Sequence, residues 1–378
     1  MDSAVHHTPA RKLHLDVLRI LAIALVVFNH SPAYSFPSYA ATPAFAYYGM
    51  LALDICCKAA VPLFFMISGA LLLGRDESMS RLFSKRILRF LIVIVAYGVL
   101  QYGFFIWTTH GGMLWSWKLL VRAIYTGWPI SNKGFVGYPS AIWFLYAYLA
   151  MLLVLPFLRA MVRHLRDGDY LYLFALQITL MALLPLGMGT IFGTGGSAKE
   201  GYSRCCDYMP FFSSCSYVIY MMLGYFLEHR LPCLPWRGIA KRWLVALAPA
   251  CILCSLFGIE LVRRGGGLDV LQETDVQKYL ASFLLLPCAF LYCLVQRGCA
   301  NISTSGLLAK VITLAGGSVF TVMLTENIFR WALMPAYHRM CSLAGDYGAA
   351  LLLVLVTCLC AGTLGLLLKR VPVVKKYL

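Results

Sequence analysis

The sequence predicts an all-α fold, a polytopic membrane helix bundle of about ten transmembrane helices with both termini in the cytoplasm. Three observations carry that prediction. Of the 378 residues 61% are hydrophobic and only 13% charged, with a mean hydropathy of +0.76, whereas a soluble domain carries roughly 25% charged residues. Ten apolar segments are long enough to span a bilayer: 15–32, 47–73, 87–108, 140–158, 170–187, 210–227, 243–261, 279–295, 311–330 and 347–368. Alternating them from a cytoplasmic N-terminus places 20 Lys and Arg inside and 10 outside, as the positive-inside rule requires. The net charge of +16 therefore belongs to cytoplasmic loops, and the expected partner is the lipid bilayer rather than nucleic acid. Residues 1–378 read as one transmembrane domain.

The first segment, LDVLRILAIALVVFNHSP, is the most informative. Its 18 residues rise about 27 Å as a helix. Arg19 and His30 are eleven residues apart, so they return to within about 20° around the axis, about 16 Å apart along it. Asp16 lies one turn below Arg19 and can pair with it. Two readings of Arg19 stand side by side: a side chain snorkelling to lipid phosphates, or part of a polar stripe with Asp16 and His30. Polar groups within an apolar run are costly, and their shared face favours the stripe. The preceding MDSAVHHTPARKLH has no small-residue cleavage site, so the first helix is expected to remain uncleaved.

The second segment contains KAAVPLFFMISGALLLGR. Pro62 frees a backbone carbonyl, Ser68 and Gly69 permit close helix packing, and Lys58 is expected to reach the outer water. The loop that follows carries Arg75, Arg81, Lys85, Arg86 and Arg89. It is either plain topology signalling or an anion site, with Arg86 and Arg89 one turn apart and able to face one phosphate cluster. The outer loop 109–139 holds Trp115, Trp117, Trp128 and Tyr138, which serve as interface anchors or sugar-stacking rings. In the fourth segment Trp143 is expected to be a buried indole hydrogen-bonded within the bundle. Cys205 and Cys206 are adjacent in an outer loop, either free thiols or a vicinal disulfide. Most of the 14 cysteines sit in apolar runs as small hydrophobes, no pair has zinc-ligand spacing, and no metal is expected. The ninth segment leaves Glu326 inside the membrane, where it must be paired, protonated or open to a cavity, and Lys58 is a partner within the same outer half.

Arg19, ten intervening residues and His30, within D-x-x-R-x-x-A-x-x-x-V-x-x-x-H, resemble the opening motif of the acyltransferase 3 family. PLFFMISGALLL, the R-x-x-R of Arg86 to Arg89, and Trp143-Phe144-Leu145 resemble further family segments. Glu326-Asn327 departs from the family's G-I-Y-L-I-H-P. The resemblance implies a stand-alone, multi-pass O-acyltransferase of the bacterial cytoplasmic (inner) membrane, of the kind that O-acetylates surface polysaccharides. It implies acyl-CoA, acetyl-CoA in the first instance, as donor, and a surface glycan or lipid-linked sugar as acceptor. The coenzyme A phosphates would dock on Arg86 and Arg89, with the pantetheine arm entering along the first helix. His30 would be the general base, Asp16 would hold Arg19 to orient the donor, and Ser68 or Asn29 would face the oxyanion. A transporter or flippase of a glycan or acylated metabolite is the competing reading, and a non-enzymatic scaffold leaves the polar stripe without a purpose.

Overall fold

The structure, a computed structural model, describes residues 11–108, 116–126, 142–193, 216–303 and 305–377, and these contain helices and no strand. The chain enters through α1 (Leu13–Asn29), then α2 (Ala44–Leu72) and α3 (Met79–Thr108). A short α4 (Trp117–Thr126) precedes α5 (Ile142–His164) and α6 (Asp167–Phe192). After α7 (Tyr217–Tyr225) and α8 (Arg237–Gly266) come the bent pair α9 (Glu273–Ala281) and α10 (Leu285–Cys299). The final element is α11 (Leu307–Leu368). Gly267 caps α8 in the left-handed conformation, with Leu268 N donating to Arg263 O, a common way to stop a helix.

By length and apolarity six of these helices can cross a membrane, seven if α9 and α10, bent by 57°, count as one span. The expected ten is not reached among the described residues, and each shortfall has a local cause. α1 has 17 residues, about 26 Å against a hydrocarbon core of roughly 30 Å. Residues 210–215, the first part of the sixth predicted segment, lie outside the described residues, leaving α7 with 9. α11, with 62 residues, takes up both of the last two segments.

α11 reverses at Gly345, where φ is 68° and ψ 169°, a conformation that side chains resist. Lys369 Nζ donates to Gly317 O at 2.5 Å although the two residues are 52 apart, which in a straight helix would be about 78 Å. The two halves pack face to face, since a Cβ on Gly365 would stand 2.8 Å from Thr321 Oγ1.

Small residues set the closest crossing, as expected where lipid removes the hydrophobic drive between helices. A Cβ on Gly69 would lie 1.8 Å from Met221 O, and one on Gly224 would lie 1.9 Å from Met66 O. α2 and α7 therefore meet backbone to backbone. α1 packs mainly against α11 and then α2, burying Leu15, Leu18, Ala22 and Val27. Its first turn is pinned to the opposite side, because Lys12, His14 and Tyr292 all bond the buried Glu228 at 2.6 to 2.9 Å.

Two sequence expectations change here. Trp143 is 39% exposed while Phe144 and Leu145, one and two positions on, are buried; steps of roughly 100° per residue around the helix separate them, so the indole faces outward. Within the outer loop, residues 116–126 are described and mostly form α4, which hydropathy alone does not mark. Its Ile124 packs against Gly98 of α3, and Trp117, Val121 and Tyr125 form an exposed stripe. Trp115, Trp128, Tyr138, Cys205 and Cys206 lie outside the described residues.

Candidate active site

At the N-terminal end of α1, Asp16 is fully buried. Arg11 donates to both of its carboxylate oxygens, at 2.6 and 3.1 Å, and Arg19 Nη1 donates to Oδ1 at 2.7 Å. Arg11 also reaches Thr313 O on α11 at 2.9 Å. Only a glycine fits opposite, because a Cβ on Gly316 would stand 2.7 Å from Asp16 Cβ. One carboxylate between two guanidiniums leaves the corner positive, and Arg19 is held with its free edge toward a cavity.

That cavity has a volume of about 740 Å³ and brings together four of the predicted residues, Arg19, Ser68, Arg86 and Arg89. Arg75, Arg81 and Lys85 widen its basic end, and Phe64, Phe144, Tyr148, Phe320 and Met323 line its apolar part. The basic end is built by a π turn, Phe83–Ile87, at the start of α3, the kind of helix irregularity that gathers at functional sites. Glu77, between α2 and α3, receives Arg86 Nε at 2.9 and 3.0 Å and Arg159 Nη2 at 3.1 Å. Burial pushes the Glu77 carboxyl up, but the bonds from Arg86 and Arg159 outweigh it and hold it below the usual carboxylate range. Arg89 Nε reaches the carbonyl of Tyr377, which itself lines the cavity, at 3.4 Å. Ser68 Oγ donates to Phe64 O at 2.8 Å and lies 3.5 Å from Tyr148 OH, so its proton is committed to its own helix.

His30 does not line this cavity. It stands at the other end of α1, where its Nδ1 meets Glu326 Oε1 at 2.9 Å, and Arg330 Nε donates to Glu326 Oε2 at 3.2 Å. Glu326 is 2% exposed. Held by an arginine, its carboxylate accepts from the ring, so Nδ1 carries a hydrogen and, in the neutral ring, Nε2 carries the lone pair. The neighbouring Asn327 is locked to α3 by two hydrogen bonds with the Gln101 amide, Asn327 Nδ2 donating to Gln101 Oε1 at 2.5 Å and Gln101 Nε2 to Asn327 Oδ1 at 3.1 Å. Asn327 thus ties this turn of α11 to α3, while His30 ties Glu326 to the end of α1.

The expected pairing of Glu326 with Lys58 is overturned. Lys58 Nζ donates to Glu273 at 2.6 Å and sits 4.9 Å from the ring of Tyr34, whereas Glu326 is satisfied by His30 and Arg330. Asn29 Oδ1 is buried with no partner among the described residues. Sequence reasoning missed Arg11, Glu77, Arg159, Tyr148 and Tyr377. An intramembrane carboxylate marks Glu326 for notice, but nothing local names a histidine 296 positions away. Among the described residues no group of three His, Cys, Asp or Glu is placed to hold a metal ion.

No curated protein and no solved structure matches the chain. A family model does: residues 13–366, nearly the whole chain, match the acyltransferase 3 family, described as an acyltransferase domain. With helices long and apolar enough to cross a membrane and a basic cavity against a polar first helix, the chain belongs to the acyltransferase 3 family of membrane acyltransferases.

Proposed function

We propose that this protein is a ten-span O-acyltransferase of a bacterial cytoplasmic membrane, moving an acyl group, acetyl in the simplest case, from acyl coenzyme A to a hydroxyl of a surface glycan or its lipid-linked precursor. The observation that carries the reading is the histidine held through Nδ1 by a buried carboxylate, His30 on Glu326 at 2.9 Å. A free, oriented Nε2 is what a general base requires.

The donor's phosphates bind at the basic end of the cavity, on Arg86 and Arg89, with the Arg19–Asp16–Arg11 corner neutralising charge deeper in. The pantetheine arm, about 15 to 20 Å long, matches the roughly 16 Å from Arg19 to His30 along α1. His30 Nε2 takes the proton of the acceptor hydroxyl as its oxygen attacks the thioester carbon. The carbon–sulfur bond then breaks, and the proton passes to the departing thiolate. Glu326 stabilises the imidazolium between these steps. Asn29, next to His30, is the nearer polar group for the oxyanion and would donate from Nδ2, whereas Ser68 lies in the donor cavity. Arg11 and Lys369 both bond residues 313–317 of α11. This supports an even number of crossings, with both termini on the donor's side.

The test is thiol release by the full chain in nanodiscs, given acetyl coenzyme A and a crude glycan extract. The wild type is expected to release thiol and label the glycan. His30→Ala should bind donor and do neither, while Arg86→Ala should weaken donor binding by about tenfold or more. Equal behaviour of all three proteins would sink the assignment.

A further inference from the structure

Beyond His30 the chain folds through two tight turns, with Ser31 N bonding Phe28 O and Tyr34 N bonding Ser31 O. Tyr34 is thereby kept beside the end of α1. There it packs in a small cluster with Phe28, Cys57 and Tyr347, the last stacked on Phe28 at 6.4 Å. The polar groups inside this cluster are not matched to one another. Asp54 is 3% exposed, and its Oδ2 has no hydrogen-bond partner among the described residues; Tyr34 OH is buried and equally without one. One turn further along α2, Lys58 turns outward to Glu273 instead of inward to Asp54. Glu273 is 44% exposed and Lys58 19%, so this ion pair is the solvent-facing part of the cluster and Asp54 its buried part.

A buried carboxyl and a buried phenol left unpaired cost several times what a satisfied pair contributes. Groups so placed await a partner with donors and acceptors in close succession. Neighbouring hydroxyls on a sugar ring supply that pattern, because a carboxyl accepts from two adjacent hydroxyls and a phenol bonds a third. The local charge also discriminates. Asp54 and Glu273 face one ammonium, Lys58, while the carboxylate of Glu326 is already taken by His30 and Arg330. An acidic sugar would bring a further carboxylate beside the carboxyls of Asp54 and Glu273, with a single ammonium to share in a poorly solvated place.

We propose that Tyr34, Asp54, Lys58 and Glu273 form the acceptor subsite, which takes adjacent hydroxyls of an uncharged sugar and rejects acidic sugars. The inference rests on the acyltransferase reading for its purpose, but the subsite can be tested without it. Saturation-transfer NMR on the full chain in nanodiscs, with maltotriose and with trigalacturonic acid as probes, reads binding alone. The expected result is transfer to maltotriose and at least tenfold weaker binding of trigalacturonic acid. Asp54→Asn and Tyr34→Phe should each lower maltotriose affinity about tenfold, both being near-isosteric and checked for monodisperse elution and an unchanged melting temperature. The subsite is overturned if the wild type binds neither sugar, binds both alike, or binds maltotriose no better than the two variants do. Thiol release from acetyl coenzyme A, followed on the same samples, separates the two ideas. Maltotriose binding that depends on Asp54, without thiol release, keeps the subsite and discards acyl transfer.

Discussion

His30 is held by a relay of side chains. Its Nδ1 is fixed by Glu326, Glu326 by Arg330, and the next residue along by Gln101. Glu326→Gln keeps the shape but presents an amide that can donate to Nδ1 and reverse the tautomer. The expected outcome is a fall in kcat of about 10²-fold or more with donor KM within about twofold, read by steady-state thiol release. Glu77 offers a test that needs no activity. Its carboxyl is held below its ordinary value by Arg86 and Arg159, so its contribution to stability is present above the unfolded pKa and is lost as pH falls through the lower folded one. The melting temperature should therefore drop on acidification below about pH 4.5, and less steeply in Glu77→Gln. At neutral pH that variant should lose about 3 kcal/mol by denaturation, because it leaves Arg159, itself buried, without its carboxylate. Asp16 with Arg19 is legible from spacing along one helix. Glu326 with His30 is not, since partners on distant helices are chosen by how those helices dock.

Helices are legible where apolar runs are long, and their ends and breaks where glycine or charge punctuates them. α2, α3, α5, α6 and α8 follow their apolar segments closely. The reversal of α11 is harder to read, since Gly345 looks like any loop glycine until Lys369 is found bonded to Gly317. α4 escapes hydropathy because it has only 10 residues, Lys118 and Arg122 among them, too few to span a bilayer; its Ile124 is what packs on Gly98. The contact of α2 with α7 depends on two missing side chains. Gly69→Ala or Gly224→Ala drives a methyl into a facing backbone carbonyl, and neither backbone can yield without parting the helices. A loss of at least about 2 kcal/mol is expected, seen as reduced monodisperse yield and a lower melting temperature, whereas Gly49→Ala, with nothing within 4 Å, should be silent.

The whole bundle has two unlike ends. One holds the basic cavity with Arg19, Arg86 and Arg89; the other holds His30, Lys58 and the outer turns, where Ser38 and Asp269 bond each other at 2.5 Å. Parallel contact of α1 with the first half of α11, Asp16 to Gly316 and His30 to Glu326, links them. On the proposed topology the basic end faces the cytoplasm. Ser84→Cys and Ser35→Cys, both at exposed positions, should be labelled above the wild-type background by impermeant maleimide, the first from the cytoplasmic side and the second from outside. The clustering of basic residues after the second apolar segment is plain in the sequence, but the gap between the cavity and His30 appears only when the helices are placed side by side. The meeting of Arg11 and Lys369 on one short stretch of α11 has a consequence for engineering. A linker from the C-terminal segment to residue 11, with the chain reopened at Gly345, gives a circular permutant that keeps the Arg11–Asp16–Arg19 and His30–Glu326–Arg330 ion pairs.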